Sequence, residues 1–477
     1  MGYAFDAFAT ATEMLRALRA RDASAVELLD LHLERIDRIN PALNAVVARD
    51  DEAARAAAKE ADAARARGED APLLGLPLTV KDCIYVRGLP TTGGLPERAG
   101  SINDEDSRLA ARVRAAGAVF MGTTNVPPNA SDWQSDNPVY GRTNNPWDVT
   151  RTPGGSSGGA AAALAAGLTP LEFGGDFVGS IRIPAAFCGV YGHKSSETAL
   201  ARSGHFPGPN SPNWAFAMAV QGPMARSADD LDLALGVVAG PEVGEDVAWR
   251  LVLPPARQTR LAGYRVAVLP DIPWLPVDRE IRDALERLAS SLSAAGARVA
   301  VAQPDGFGDL RDFFGVYLSL LGATSEAPSV GDHEVNETGW DQEFVAAWVR
   351  GRRASAGEYL GFHGARERFR ATYRTFFRAW DVLLAPANIV NAFPHTDQHY
   401  AHRRLDVDGR AVPYEYQAVY PGLANLTGQP STAFPVGLTE RGLPIGLQAI
   451  GPYLEDRTPI RIAALVADEI GGFRAPG

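Results

Sequence analysis

An α/β fold, with helices on the faces of a largely parallel or mixed sheet, is what this sequence predicts, on three observations. Short apolar runs of strand length recur from Leu73 onward, punctuated by glycine and proline. Helix-period stretches separate several of them, which is the alternation expected when strands and helices pack in layers. The chain is also 477 residues long, with 46% hydrophobic and 22% charged residues, which suits a globular protein with a large core. Length alone allows about three domains, yet no internal repeat and no linker composition divides the chain. Residues 1–70 are expected as a helical segment packed on the remainder, 71–477, in one continuous globular unit.

Residues 8 to about 67 read as helices. Met14, Leu15 and Leu18, then Val26, Leu28, Leu29, Leu33 and Ile36, recur at spacings near three and four, and Ser24 can cap the second helix. Asn40-Pro41 is expected to break the pattern, and Asp50–Arg67, alanine-rich and charged throughout, reads as a solvent-facing helix. Leu76–Val80 and Ala118–Met121 read as strands, with a helix from Asp106 to Ala116 between them. Ala160–Ala166 reads as a helix of small side chains that can approach its neighbours closely. Further on come a strand at Gly263–Leu269, a helix at Asp278–Ala295 and a strand at Arg298–Ala302. Residues 305–380 are rich in aromatics and read as helical. Asp381–Pro386 reads as a buried strand, and His395–Pro413 as a loop or a hairpin around Asp408-Gly409.

Several function classes are excluded by bulk properties. Lysines and arginines number 46 against 57 acidic residues, a net charge of −11, and no basic block offers a surface for nucleic acid. No apolar run approaches the ~18 residues of a membrane span. The first residues lack a secretory pattern, and Gly2 is followed by Phe5-Asp6 rather than by the hydroxyl residue a myristoylation motif wants. Cys83 and Cys188 are too few for a disulfide framework or a metal site. A soluble, cytoplasmic protein is expected.

The chemistry-bearing residues lie between 81 and 182. Gly154-Gly155-Ser156-Ser157-Gly158-Gly159 runs into the alanine helix, and Gly179-Ser180-Ile181-Arg182 comes next, its serine 24 positions after Ser156. The first loop reads as an anion cradle, as a plain tight turn, or as a loop presenting a reactive hydroxyl; it matches neither the P-loop nor the dinucleotide pattern. Ser180 reads as structural or as a nucleophile whose oxyanion would be held by amides of the glycine-bearing loop before it. Lys81 ends an apolar strand. It reads either as a surface partner of Asp82 or as a base. A lysine with a pKa near ~10.4 in water works as a base at pH 7 only if its charged form is disfavoured by about 4 kcal/mol. Burial can supply that. Serine with lysine is a known histidine-free route to acyl transfer.

Taken together, Pro77–Asp82, Thr123-Thr124-Asn125, Asn145-Pro146-Trp147-Asp148 and Thr152-Pro153 before the glycine–serine loop resemble the amidase signature family. So do Gly179–Ala185, Gly222–Ser227, Asn425–Pro430 and Gly442–Gln448. The resemblance spans nearly the whole chain in the family's order. It implies a single α/β/α domain with a large mixed, mostly parallel sheet of about a dozen strands. It implies hydrolysis of small or hydrophobic amides, aryl or linear, with Ser180 as nucleophile, Ser156 as proton relay and Lys81 as base. It also implies a cis bond at Gly155–Ser156 and an oxyanion hole made by the amides of Phe177, Val178 and Gly179, with that of Ser180. Ser157 is implied as a support for Lys81, and Asp176 with Arg182 as an ion pair bracing the loop. No cofactor or metal is implied, and a homodimer is frequent in similar proteins. Two other functions fit the resemblance: the amidase subunit of a glutamine-dependent tRNA amidotransferase, and a catalytically silent binding protein.

The sequence departs from the family pattern at several places. Val178 stands where a glycine is usual, so either the loop takes an ordinary conformation or valine trims the pocket. Gly175 stands for a small hydroxyl residue, Pro128 for a glutamate, and His193-Lys194-Ser195-Ser196 for leucine, lysine, proline and threonine. His193 reads as a packed core histidine or as a pocket contact. His395, His399 and His402 cluster in sequence without convincing ligand spacing. Phe313, Phe314, Tyr317, Trp340, Trp348, Tyr359 and Phe362 read as helix core or as the lining of an apolar channel.

Overall fold

A computed structural model describes residues 5–205, 217–324 and 341–477; Gly2 and Trp340 lie outside them. The chain opens with helices α1 (Ala11–Ala20) and α2 (Ala25–Leu43), each closed at its start by a capping box, Thr10 with Glu13 and Ser24 with Glu27. The expected break at Asn40-Pro41 does not occur. Pro41 sits inside the last turn of α2, where it forgoes the one hydrogen bond to the Asp37 carbonyl close to the helix end, and the helix ends only at Asn44 in the left-handed region. The Asn40 side chain instead ties down the segment beyond the helix. Its Oδ1 accepts from the amides of Ala45 (2.8 Å) and Val46 (2.9 Å).

That segment becomes strand β1 (Val46–Arg49), so the stretch 8–67 is not helical throughout. After helix α3 (Asp51–Ala66) comes β2 (Pro77–Lys81), then α4 (Arg108–Ala115) and β3 (Val119–Thr124). β3 pairs parallel with β2 and antiparallel with β1, making a three-stranded sheet. A two-residue ladder, β4 (Asp136–Asn137) with β5 (Gly141–Arg142), precedes α5 (Gly158–Ala165), every residue of which is buried. Alanine and glycine let α5 pack against strands that larger side chains would hold away.

The central sheet is built from β6 (Leu171–Asp176), β7 (Tyr191–Lys194), β8 (Val220–Ala225), β9 (Arg265–Val268), β10 (Arg298–Val301) and β11 (Val382–Pro386), with β14 (Ser431–Leu438) and β15 (Pro444–Ile450). Between the last two groups lies a separate hairpin, β12 (Arg404–Val407) and β13 (Arg410–Pro413). Its turn residues Asp408 and Gly409 both have positive φ, 52° and 81°, as a two-residue hairpin turn requires.

The sheet order is β10-β9-β11-β15-β14-β7-β8-β6. The α/β class and the mixed sheet are as expected, but among the described residues the sheet is not mostly parallel, and it has eight strands rather than a dozen. Among the described residues only β10–β9 and β9–β11 of this sheet pair parallel; the other five pairings are antiparallel. The reason is connectivity. A helical crossover, α8 (Arg279–Ala294), joins β9 to β10, whereas β14 and β15 form a hairpin and β8 inserts antiparallel between β6 and β7. Helices α6 (Arg182–Cys188), α7 (Ala228–Val238) and the C-terminal helix Arg457–Ile470 flank the sheet. β2 lies alongside the edge strand β6, so the smaller sheet sits against the larger.

The described part of 305–380 is largely helical as expected, with α9 at Arg311–Thr324 and two more helices at Gln342–Arg352 and Ala356–Ala379. Phe313, Phe314 and Tyr317 are buried, and rings pack edge to face, Phe314 on Phe344 at 4.7 Å and Phe313 on Phe369 at 4.8 Å. These three are helix core. Trp348, Tyr359 and Phe362 are half-buried against it.

Candidate active site

Lys81 is the last residue of β2, a strand buried along its whole length. Its Nζ donates to Ser156 Oγ at 2.7 Å and lies 3.5 Å from the Gly175 carbonyl oxygen. Burial pulls the Lys81 ammonium down, while Cys83, Asp176 and Glu172 pull it partly back. Asp82 is not its partner. That carboxylate turns the other way and accepts from the amide (2.9 Å) and hydroxyl (2.5 Å) of Thr92.

The glycine–serine loop reaches the lysine by a route that excludes a Cβ. Gly154 has φ 85°, and the Gly155–Ser156 bond is cis. A side chain at Gly155 would run into the Asp132 carbonyl and lie 2.9 Å from the carbonyl carbon of Trp133. The anion-cradle reading fails here. The first-turn amides of α5 are committed to protein, Gly158 to Ser135 Oγ and Gly159 to the Asn125 carbonyl, each at 3.1 Å. Ser157 donates its amide to the Ser180 carbonyl (3.1 Å), which brings the two serine loops together. Its hydroxyl lies 3.4 Å from the Gly175 carbonyl, so Ser157 and Lys81 converge on one acceptor rather than on each other.

Ser180 lies just before α6 and is 7% exposed. β6 extends through Gly174 and Gly175 to Asp176, so the loop proper is only Phe177–Gly179. Both strand glycines answer to neighbours. A Cβ at Gly174 would come within 2.8 Å of Ser157 Oγ, and one at Gly175 within 2.6 Å of His205 Nε2. His205 thus fills the space that the small hydroxyl residue expected at 175 would take, with Nε2 3.4 Å from Cys83 Sγ. Burial, then the charges of Arg202 and Lys81, hold the His205 imidazole well below its ordinary value.

Asp176 and Arg182 form the expected ion pair, fully buried. Asp176 also accepts from the amides of Gly179 (3.0 Å) and Ile181 (3.2 Å). The Gly179 N–H is therefore directed at a carboxylate, unlike the oxyanion role expected of it. Val178 keeps an ordinary backbone conformation, and the positive φ, 86°, falls on Gly179. The valine is half-buried.

Three residues around this loop have roles that their local sequence does not reveal. Tyr317 donates its hydroxyl to the Phe177 carbonyl at 2.9 Å, and Trp133 donates its indole N–H to the Val178 carbonyl at 2.9 Å. Glu172, buried on β6, accepts from Thr124 Oγ1 (2.7 Å) and from the Phe173 amide (2.8 Å); burial pushes its carboxyl up to about 8. The sequence signal for Glu172 is a charged residue set between apolar Leu171 and Phe173. His193 is a core residue, with its ring nitrogens 2.9 Å from Thr432 Oγ1 and 3.1 Å from Asp456 Oδ1. Among the described residues no three His, Cys, Asp or Glu side chains gather as a metal site, the histidines at 395, 399 and 402 included.

The family pattern Amidase matches residues 27–459, nearly the whole chain. The chain belongs to the amidase family. With that family goes hydrolysis of amide carbon–nitrogen bonds. An acylamidase of Rhodococcus erythropolis is 32% identical to this amidase over 467 residues, covering 95% of this chain and 94% of the relative. The A subunit of the glutamyl-tRNA(Gln) amidotransferase of Salinispora arenicola is 31% identical, covering 98% of each. Among solved structures, a 6-aminohexanoate cyclic dimer hydrolase with bound substrate superposes on this amidase with a TM-score of 0.79 at 26% identity, covering 99% of both chains.

Proposed function

We propose that this amidase hydrolyses small or hydrophobic carboxamides, linear or aryl, through an acyl-enzyme on Ser180. The observation that carries the reading is the 2.7 Å contact of a buried, charge-disfavoured Lys81 with Ser156 Oγ. Neutral Lys81 takes the Ser156 proton as Ser156 takes that of Ser180, and Ser180 Oγ bonds to the amide carbon. The carbonyl electron pair moves onto oxygen, where the amides of Val178 and Phe177, with that of Ser180, hold it. Collapse of this intermediate breaks the carbon–nitrogen bond. The proton returns from Lys81 through Ser156 to the departing amine, and water then releases the acid by the same relay. Asp176 and Arg182 brace the loop, and Ser157 holds the Gly175 carbonyl beside Lys81.

Intact mass of the protein treated with a fluorophosphonate tests this. One adduct is expected, absent from Ser180→Ala; no adduct on the unsubstituted protein refutes it. A panel of anilides, linear amides and cyclic amides then separates the substrate classes.

A second reading rests on the likeness to the amidotransferase A subunit over 98% of the chain. It requires partner proteins, and glutaminase activity that appears only with co-purified partners would favour it. No helix among the described residues is long and apolar enough to cross a membrane. We assign the enzyme to the cytoplasm as a homodimer, a state that sedimentation tests. We also take residues 1–70 as one globular unit with 71–477, supported by the pairing of β1 with β3.

A further inference from the structure

We infer that Trp133 and Tyr317 are positioning residues that together fix the orientation of the two peptide planes preceding the nucleophile. The inference deepens the hydrolase reading above and rests on it. A trans peptide unit is planar, with its carbonyl and N–H pointing in opposite directions, so gripping the carbonyl of one residue aims the N–H of the next. Tyr317 grips the Phe177 carbonyl at 2.9 Å and thereby aims the Val178 N–H away from α9. Trp133 grips the Val178 carbonyl at 2.9 Å and aims the Gly179 N–H, which Asp176 Oδ1 receives at 3.0 Å. The second plane is held at both ends. The first is held at its carbonyl, and its N–H is the one the proposed mechanism uses to receive the oxyanion.

Neither grip is free to swing. Tyr317 is fully buried in α9, its ring so close to Gly422 that a Cβ there would stand 3.0 Å away. The Trp133 indole packs edge-on against Tyr414 at 5.3 Å, and Tyr414 donates to Asp132 Oδ1 at 2.9 Å. Arg403 holds the same carboxylate through both oxygens, at 2.9 and 2.7 Å. The main chain of Trp133 meanwhile lies against Gly155, beside the relay serine. One residue thus touches both hydroxyl-bearing loops, and a donor aimed by rigid neighbours needs no reorganisation when negative charge develops on the substrate oxygen.

Steady-state kinetics on an anilide and the rate of fluorophosphonate labelling, measured for Tyr317→Phe and Trp133→Phe, test this. Each variant is expected to lose ~10–100-fold in kcat with KM within about threefold of the parent. Labelling, which also builds charge on an oxygen in the same place, is expected to slow in parallel. The acid limb of the pH profile, which Lys81 sets, is expected to stay where it is. Unchanged kcat in both variants, or a loss confined to KM, overturns the inference. Should Trp133→Phe unfold, Tyr317→Phe, which deletes one oxygen and opens no cavity, decides alone. A parent enzyme that labels and turns over while both variants match it sinks this inference only, whereas a parent that never labels removes the hydrolase reading as well.

Discussion

Arg182 clasps Asp176 at two points, Nε to Oδ2 at 2.9 Å and Nη2 to Oδ1 at 3.0 Å, with neither side chain reaching water. Arg182 also donates to Gln448 Oε1 (2.7 Å), Asn425 Oδ1 (2.5 Å) and the Pro421 carbonyl (3.2 Å), so one guanidinium ties the loop to the strands and helix behind it. Removing one partner strands a charge in the interior. Arg182→Met is expected to lose about 3–5 kcal/mol of stability, read as a lower urea midpoint at unchanged slope. Burial alone would raise the Asp176 carboxyl, but the charge and hydrogen bonds of Arg182 bring it well below the carboxylate range. Its share of stability is therefore present above the unfolded pKa of about 4 and is lost as pH falls below it.

Lys81 works in the opposite sense. Burial lowers its pKa in the folded state, so between that value and the unfolded ~10.4 the unfolded chain binds the extra proton, and stability rises with pH across this window. Lys81→Met is expected to lose about 10²–10⁴-fold in kcat, as befits a missing base. It is also expected to be more stable than the parent at pH 7, by a margin that shrinks as pH climbs towards ~10.4. Chemical denaturation at pH 7 and pH 10 measures this, and a pH-independent difference contradicts it.

Glu172 gives a third linkage. Its folded pKa of about 8 stands above the ordinary carboxyl value, so the folded state holds the proton longer and stability falls as pH rises from about 4 to 8. Glu172→Gln, which keeps the shape without the charge, is expected to be more stable than the parent by ~2–4 kcal/mol at pH 8, with the difference closing towards pH 4. Parallel stability curves for the two proteins would refute the assignment.

The exchange of space between Gly175 and His205 makes a fourth prediction. A Cβ at 175 would stand 2.6 Å from His205 Nε2. Gly175→Ser is expected to destabilise by about 1–3 kcal/mol through overpacking. Adding His205→Ala is expected to recover ~1 kcal/mol or more of that loss, a coupling that a double-mutant cycle of denaturation midpoints reads directly. Additive losses would show that the two positions do not compete.

The sequence made some of this legible for physical reasons. Helices α1 and α2 carry their own start signals in Thr10-x-x-Glu13 and Ser24-x-x-Glu27, and periodic leucines face the core. Lys81 stood out because a charged residue closing the apolar run Leu76–Val80 invites burial. The short strands were harder. β1, β6, β7 and β8 have four to six residues each, several with glycine, and their partners lie far along the chain. Their pairing decides whether the sheet is parallel, and no local pattern encodes it. Pro41 does not stop α2 where the sequence suggests, because so near the helix end it costs a single hydrogen bond and the helix closes two residues later at Leu43. Trp133 was invisible for the same non-local reason, since its indole meets a carbonyl 45 residues away.

The amine and the hydroxyl of this site come from different sheets, Lys81 from the three-stranded one and Ser180 from the loop after an edge strand of the eight-stranded one. Neither sheet is reactive by itself. A chain still emerging during synthesis, or one whose smaller sheet has peeled off, carries a protonated lysine and an ordinary alcohol. On the proposed mechanism, hydrolytic power therefore requires the two sheets to be docked on each other.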